Sequence, residues 1–267
     1  MTSGKILRLG RILEPSENRA VIIALDHDSY AGPMAGLADP LKVLEVAAKG
    51  GADAVIVTPG TLLKHYKSIA GKLGVILRID GGHTSLHPNP TPCSALTYTV
   101  EGAIHLGADA VVMMAYIGTE YETMSLRTLG YVASQCQECG MPLIAETFPT
   151  GEFSGKERLA EFVKLSARVG SAIGADLIKT FYTGSVESFK EVVSGCLTPV
   201  VVAGGSRMKT EKDALEVARG AVDAGANGVA FGRNVWQSCN PLGMVKALVD
   251  IVHKDKAVDK ALDHIKS

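Results

Sequence analysis

The sequence predicts an α/β protein folded as a single (β/α)8 barrel, a TIM barrel, and three observations predict it. Eight short apolar runs alternate with longer amphipathic stretches from end to end. The runs are continuously apolar, the pattern of parallel strands buried on both faces. A turn also recurs, in Lys49-Gly-Gly-Ala-Asp-Ala-Val, Leu106-Gly-Ala-Asp-Ala-Val, Ile173-Gly-Ala-Asp-Leu-Ile and Ala224-Gly-Ala-Asn-Gly-Val. Each places glycine after a helix, where a left-handed cap is needed, just before the next strand. Eight such units close into a barrel at about 250 residues, and this chain has 267 without a Pro/Ser-rich linker or a break in composition.

A polar N-terminal extension (1–18) lacks the apolar stretch of a signal peptide. The first strand, Val21–Asp26, ends in Asp26-His27-Asp28, and helix Leu41–Lys49 leads to Ala54–Thr58. Val75–Ile79 delivers Arg78 and Asp80, followed by His83. Helix Ser94–Leu106 precedes Ala110–Ala115, which runs to Tyr116; a helical pattern over 121–139 precedes Leu143–Thr147, which carries Glu146. Helix Lys156–Ile173 leads to Asp176–Thr180, with Lys179 inside it and Tyr182 beyond. Val200–Ala203 opens into Gly204-Gly205-Ser206, and helix Lys212–Ala224 brings Gly228–Phe231 with Gly232-Arg233-Asn234. Helix Pro241–His253 and a charged helical segment, 254–267, end the chain as a solvated or subunit-contact surface.

Composition excludes several classes. Net charge is −1 without a basic run, so no electrostatic footprint for nucleic acid or an anionic membrane is expected. No stretch approaches the 18 apolar residues that a spanning helix needs. Five scattered cysteines (Cys93, Cys136, Cys139, Cys196, Cys239) fit reduced thiols in a cytoplasmic protein. Cys136 and Cys139 form a C-x-x-C near a helix end with no second pair at zinc spacing, and no H-x-H or H-E-x-x-H occurs, so no metal is expected.

Reactive groups of such barrels gather at the carboxyl ends of the strands. Lys179 interrupts an otherwise apolar strand, and lysine is seldom buried without a partner. Desolvation favours its neutral amine, which attacks carbonyls to form a Schiff base; the alternative is a side chain snorkelling to water. Polar residues at several other strand ends favour a site. Gly204, Gly205, Ser206, Gly232 and Arg233 form two glycine loops after the seventh and eighth strands, where barrels frequently bind phosphate; tight turns with a surface Arg233 are the other reading. G-x-G-x-x-G is absent, so a dinucleotide is not indicated. His27 stands beside Asp26 as a neutral partner; His83 and His87 line the mouth. Asp28 reads as solvated, and Trp236 as packing behind the phosphate loop.

Leu25-Asp26-His27, Ile178-Lys179-Thr180 with Tyr182-Thr183-Gly184, Ala203-Gly204-Gly205 and Gly232-Arg233-Asn234-Val235-Trp236-Gln237 resemble the archaeal-type class I fructose-bisphosphate aldolases. The wider group includes aminodideoxyheptulosonate synthases and the autoinducer-2 phosphate thiolase. The likeness runs from about Val21 to the C-terminal helix. It implies Lys179 as Schiff-base lysine and Asp26 as the acidic residue orienting hydroxyls and shuttling protons. It places a phosphorylated sugar or ketone against Gly204, Gly205, Ser206, Gly232 and Arg233, with His27 beside them. It also implies no cofactor, because the iminium is the electron sink, and a ring-built homo-oligomer such as a decamer.

One departure alters the chemistry. The family's Tyr-Pro-Arg-Gly-like motif, whose tyrosine moves the catalytic proton, reads Thr147-Phe148-Pro149-Thr150-Gly151 here. Glu146, its pKa raised by burial, or Tyr182 is expected to take that role, with His83 and Tyr116 as further candidates. Thr150 in place of arginine weakens a second phosphate site. Ala115–Glu122 and Ala31-Gly32-Pro33 look closest to the thiolase branch, so a thiolase or transaldolase acting on a phosphorylated dicarbonyl is the alternative. A flavin-mononucleotide oxidoreductase and a noncatalytic sugar-phosphate binder are the readings from other classes.

Overall fold

The computed structural model of the chain describes residues 2–87, 95–150 and 159–266. Eight parallel strands close into a barrel: β1 (Ala20–Ala24), β2 (Ala54–Val57), β3 (Gly74–Arg78), β4 (Ala110–Ile117), β5 (Leu143–Pro149), β6 (Leu177–Phe181), β7 (Val200–Ala203) and β8 (Gly228–Phe231). The barrel closes where β1 meets β8, with Ala20 opposite Gly228 and Ile23 opposite Phe231.

The pleat divides the core. Ile22, Ile56, Ile76, Val112, Ile144, Leu177 and Val201 point to the barrel axis. Their neighbours Val21, Ile23, Val55, Val57, Leu77, Val111 and Ile178 pack outward with the helices. Both faces of each strand are apolar because both are covered.

The N-terminal extension has structure of its own. Helix Ser3–Leu9, capped by Thr2, is followed by Ile12 and Leu13, which join the axial cluster and plug the amino end of the barrel. The Lys5 ammonium is buried there against Asp176, at 2.8 Å, and Asp176 also accepts from the Leu143 amide. Removing one partner of a buried pair leaves an uncompensated charge. Lys5→Ala is therefore expected to lower the unfolding free energy by about 3 kcal/mol, read as a lower midpoint in chemical denaturation.

Three expectations change. The helix expected over 94–106 is reduced to Val100–His105, started by the Thr99 side chain. Ala95–Leu96 instead pairs antiparallel with Asp80–Gly81, since a short apolar run suits strand and helix alike. Of the helix expected over 156–173, the described part begins at Ala160; residue 94 and residues 156–158 lie outside the described residues. The C-terminal segment makes two short helices, Val258–Ala261 and Asp263–Lys266. It is not simply solvated: buried Asp250 accepts from Lys256 and His264, both at 2.8 Å, and Ala261 is buried.

Among the described residues no helix is long and apolar enough to cross a membrane. Cys136 and Cys139 lie in the last turn of helix Glu122–Cys139. Cys136 is buried, its thiol pushed up to about 12 by burial, while Cys139 is exposed, so the C-x-x-C lacks a low-pKa thiol at Cys136. Cys93 lies outside the described residues.

Candidate active site

Period-two alternation carries past the strand ends and selects which side chains meet. Ala24 and Asp26, Arg78 and Asp80, Met114 and Tyr116, Glu146 and Phe148, and Lys179 and Phe181 line one cavity at the carboxyl mouth of the barrel. Its volume is about 340 Å³, room for a small phosphorylated metabolite.

The floor is ionic. Lys179, 6 % exposed, pairs through Nζ with Oε1 of Glu146, which is 3 % exposed. The other Glu146 oxygen, Oε2, accepts from Arg78. Arg78 also reaches Asp26 at 2.6 Å and Asp80 at 3.0 Å. Three carboxylates thus face two cations in a buried cluster.

Burial pushes the Asp26 carboxyl up, but Arg78, Lys179 and His27 outweigh it and hold it at about 2. Glu146 follows the same pattern: burial raises it, while Arg78 and Lys179 bring it below the ordinary carboxylate value. This corrects two expectations. Lys179 stands against a carboxylate, Glu146, rather than in a purely apolar surround. Nor is Glu146 raised by burial; the adjacent cations reverse that effect.

The neighbouring wall suits an anion. Arg233 enters it from beyond β8, beside Gly204, Gly205 and Gly232. Arg233 Nε is buried without a hydrogen-bond partner among the described residues. Asn234 fixes the two loops together, donating to the carbonyls of Gly204 (3.0 Å) and Ser206 (3.1 Å) and accepting from the Met208 amide. Gly205 has φ +70°, which glycine adopts without strain. A Cβ on Gly232 would lie 2.7 Å from the His27 ring and 2.8 Å from the Ala24 carbonyl, so glycine alone fits.

His27 stands between floor and wall. Its Nδ1 is 3.6 Å from Asp26, beyond a hydrogen bond, so the expected partnership is a loose contact. Burial lowers its pKa, with Lys179 and Arg233 adding to the effect against Asp26, which favours the neutral ring. Trp236 packs edge-on against it at 5.5 Å and donates to the Ala24 carbonyl, a core role as expected.

Other candidates fall elsewhere. Tyr182 is misplaced by the sequence reading: it stands one residue past Phe181, on the outward pleat, and packs against Phe189 at 5.3 Å. Its hydroxyl lies over Gly220 among the helices, not in the cavity. Ser206 is exposed and outside the lining, contributing only its carbonyl to Asn234. Asp28 is half-buried, accepting from the Thr61 hydroxyl at 3.2 Å, rather than solvated. His83 lines the cavity, and the ring of the exposed His87 is tilted against it with centroids 5.8 Å apart.

Phe148 points into the cavity and stacks on Phe181, 4.2 Å between centroids at 13°. The sequence reading passed over Phe181 and Tyr30 as cavity residues, and noted Arg78 only as a strand-end charge. The i, i+2 spacing of Lys179 and Phe181 was the available signal. Among the described residues no cluster of His, Cys, Asp and Glu suits a metal ion.

The family model described as DeoC/LacD family aldolase matches residues 20–238. An uncharacterized aldolase of Saccharolobus solfataricus is 32% identical over 272 residues, covering 98% of this chain and 99% of its own length. The 3-hydroxy-5-phosphonooxypentane-2,4-dione thiolase of Yersinia pseudotuberculosis is 36% identical over 249 residues, covering 93% of this chain and 82% of its own. The crystal structure of an archaeal fructose 1,6-bisphosphate aldolase superposes with a TM-score of 0.86 at 32% identity, covering 94% of this chain and 99% of that one. Another archaeal fructose-1,6-bisphosphate aldolase, its catalytic lysine bound to the carbinolamine intermediate, gives 0.85 at 33%, covering 93% and 99%.

Proposed function

We propose, for a chain that belongs to the DeoC/LacD aldolase family, a metal-independent class I aldolase that cleaves or forms a carbon–carbon bond in a phosphorylated ketose, of the fructose-bisphosphate aldolase type. One observation carries the reading. The Lys179 amine and the Glu146 carboxylate touch at the floor of a cavity whose adjacent wall presents Arg233 with an unpartnered Nε.

Glu146 Oε1 takes a proton from Nζ, the freed lone pair adds to the keto carbon, and a second Nζ proton passes to the alkoxide so formed. The carbinolamine hydroxyl takes the proton held by Glu146 and leaves as water, giving an iminium. Glu146, again a carboxylate, removes the proton from the hydroxyl two carbons along. The carbon–carbon bond breaks, its electrons pass into the iminium, and an aldehyde departs. Glu146 then protonates the enamine carbon, and hydrolysis frees the lysine. Asp26, held anionic, accepts from a substrate hydroxyl and orients it. Gly204, Gly205, Gly232 and Arg233 grip the phosphate, with His27 alongside.

Phe148 and Phe181 favour a second reading. Their stacked rings give this end of the cavity an apolar wall without an exchangeable proton. That wall suits a thiolase or transaldolase acting on a phosphorylated dicarbonyl. A panel of fructose 1,6-bisphosphate, a ketose monophosphate and a phosphorylated diketone with a thiol acceptor separates the two. Aldehyde release from the ketoses supports the aldolase; turnover of the diketone alone supports the alternative, and no turnover of any defeats both.

Arg233→Met is expected to raise KM for a phosphorylated substrate by about 10- to 100-fold, the loss of a charge-assisted pair, with kcat nearly unchanged. Inorganic phosphate should lose its competitive inhibition in parallel. The resemblance also supports a cytoplasmic homo-oligomer acting as one domain.

A further inference from the structure

We infer that Arg78 is a positioning residue of the reaction: its guanidinium divides the carboxylates of the site into held and working oxygens, and so sets the pH range in which Lys179 forms its imine. The inference rests on the imine reading above. Nε and Nη2 of Arg78 reach the same Asp26 oxygen, Oδ2, at 2.7 and 2.6 Å. Nη1 takes Oδ1 of Asp80 at 3.0 Å, and Nη2 also takes Oε2 of Glu146. What remains is Oε1 of Glu146, on Lys179 Nζ, and Oδ1 of Asp26, on the side of His27.

Asp80 has neither oxygen to spare, because Oδ2 accepts from the Met114 amide at 2.9 Å. It therefore anchors Arg78. Turning Glu146 or Asp26 away would break a charge-assisted bond in a dry site, where such bonds are strongest. The proton leaving Nζ thus has one fixed destination.

The charges point the same way. Arg78 pairs with Asp26 beyond β1, Asp80 beyond β3 and Glu146 from β5. Around this cluster stand Lys179 on Glu146, His27 beside Asp26, and Tyr30 and Arg233 within electrostatic reach. Burial alone pushes Asp26 and Glu146 up, and Arg78 leads the groups that bring both down. Without it, both carboxylates protonate at higher pH. Lys179 also loses a neighbouring cation and becomes the main counter-charge of both carboxylates, which disfavours release of its proton. Both changes displace imine formation to higher pH. Neutralising Asp80 removes an anion instead and displaces it to lower pH. A residue needed only for folding does not produce shifts of opposite sign.

The test follows the rate of borohydride-trapped adduct with dihydroxyacetone phosphate between about pH 5 and pH 9. It compares wild type, Arg78→Met, Arg78→Lys and Asp80→Asn, with thermal unfolding followed alongside. A wild-type adduct is the condition for the test; its absence defeats the imine reading itself. With it, Arg78→Met should move the half-maximal pH up by about one unit and lower the best rate by about 10-fold or more. Arg78→Lys keeps a charge but not the three-way fork; it should move the midpoint less while still losing rate. Asp80→Asn should move the midpoint down. If Arg78→Met does not fold, the other two variants decide. A wild-type rate and profile in Arg78→Lys, or an upward or absent shift in Asp80→Asn, overturns the inference.

Discussion

Lys179→Met is expected to abolish borohydride trapping of a phosphorylated ketose and to lower turnover by roughly four orders of magnitude, as loss of a covalent nucleophile does. Methionine keeps the length and apolar stem of the side chain and removes only the ammonium. Among the described residues Nζ is the one lysine nitrogen in the cavity lining, and it touches the carboxylate that would relay its proton. No neighbouring group in that lining can replace it: Arg78 and Arg233 are guanidinium groups, which stay protonated. The substitution leaves Glu146 paired with Arg78 alone, so a modest loss of stability accompanies it. Circular dichroism of the variant separates that loss from the chemistry. Retained turnover in a folded Lys179→Met protein would show that the reaction does not pass through this amine.

The second large effect is expected at Glu146. Glu146→Gln preserves shape but cannot accept and return a proton. A single amide oxygen can also serve only one of the two cations that now share the carboxylate, Lys179 and Arg78. Imine formation should slow by about 10²- to 10³-fold, the range for loss of a positioned acid–base group. Competition by inorganic phosphate should be unchanged, because the partners of Glu146 are Lys179 and Arg78 and not the groups of the anion wall. Quench-flow measurement of the borohydride-trapped fraction isolates this step. An unaltered rate would move the proton relay to Tyr116 or another hydroxyl.

The barrel was readable because its strands are buried on both faces, so apolar runs mark them within one or two residues. Lys179 was readable for the same reason in reverse, as a charge where such a strand admits none. Tyr182 was misread although the signal was present. Alternation puts residues 179 and 181 on one side of β6, and so sends 182 to the other. Arg78 is a different case. Its meaning comes from carboxylates delivered by β1, β5 and its own strand end, residues 26, 146 and 80. Nothing local in the sequence brings them together; only closure of the barrel does. The sign of the Glu146 shift was unreadable for the same reason, since burial and adjacent cations oppose each other and their balance depends on distance.

The account stands or falls on where a reducible adduct forms. Wild-type protein is incubated with dihydroxyacetone phosphate, reduced with borohydride, digested and mapped by mass spectrometry. The account predicts one substrate-dependent mass increment, on the peptide containing Lys179, suppressed by excess inorganic phosphate. An increment on any other lysine, or none while the enzyme turns substrate over, would contradict it.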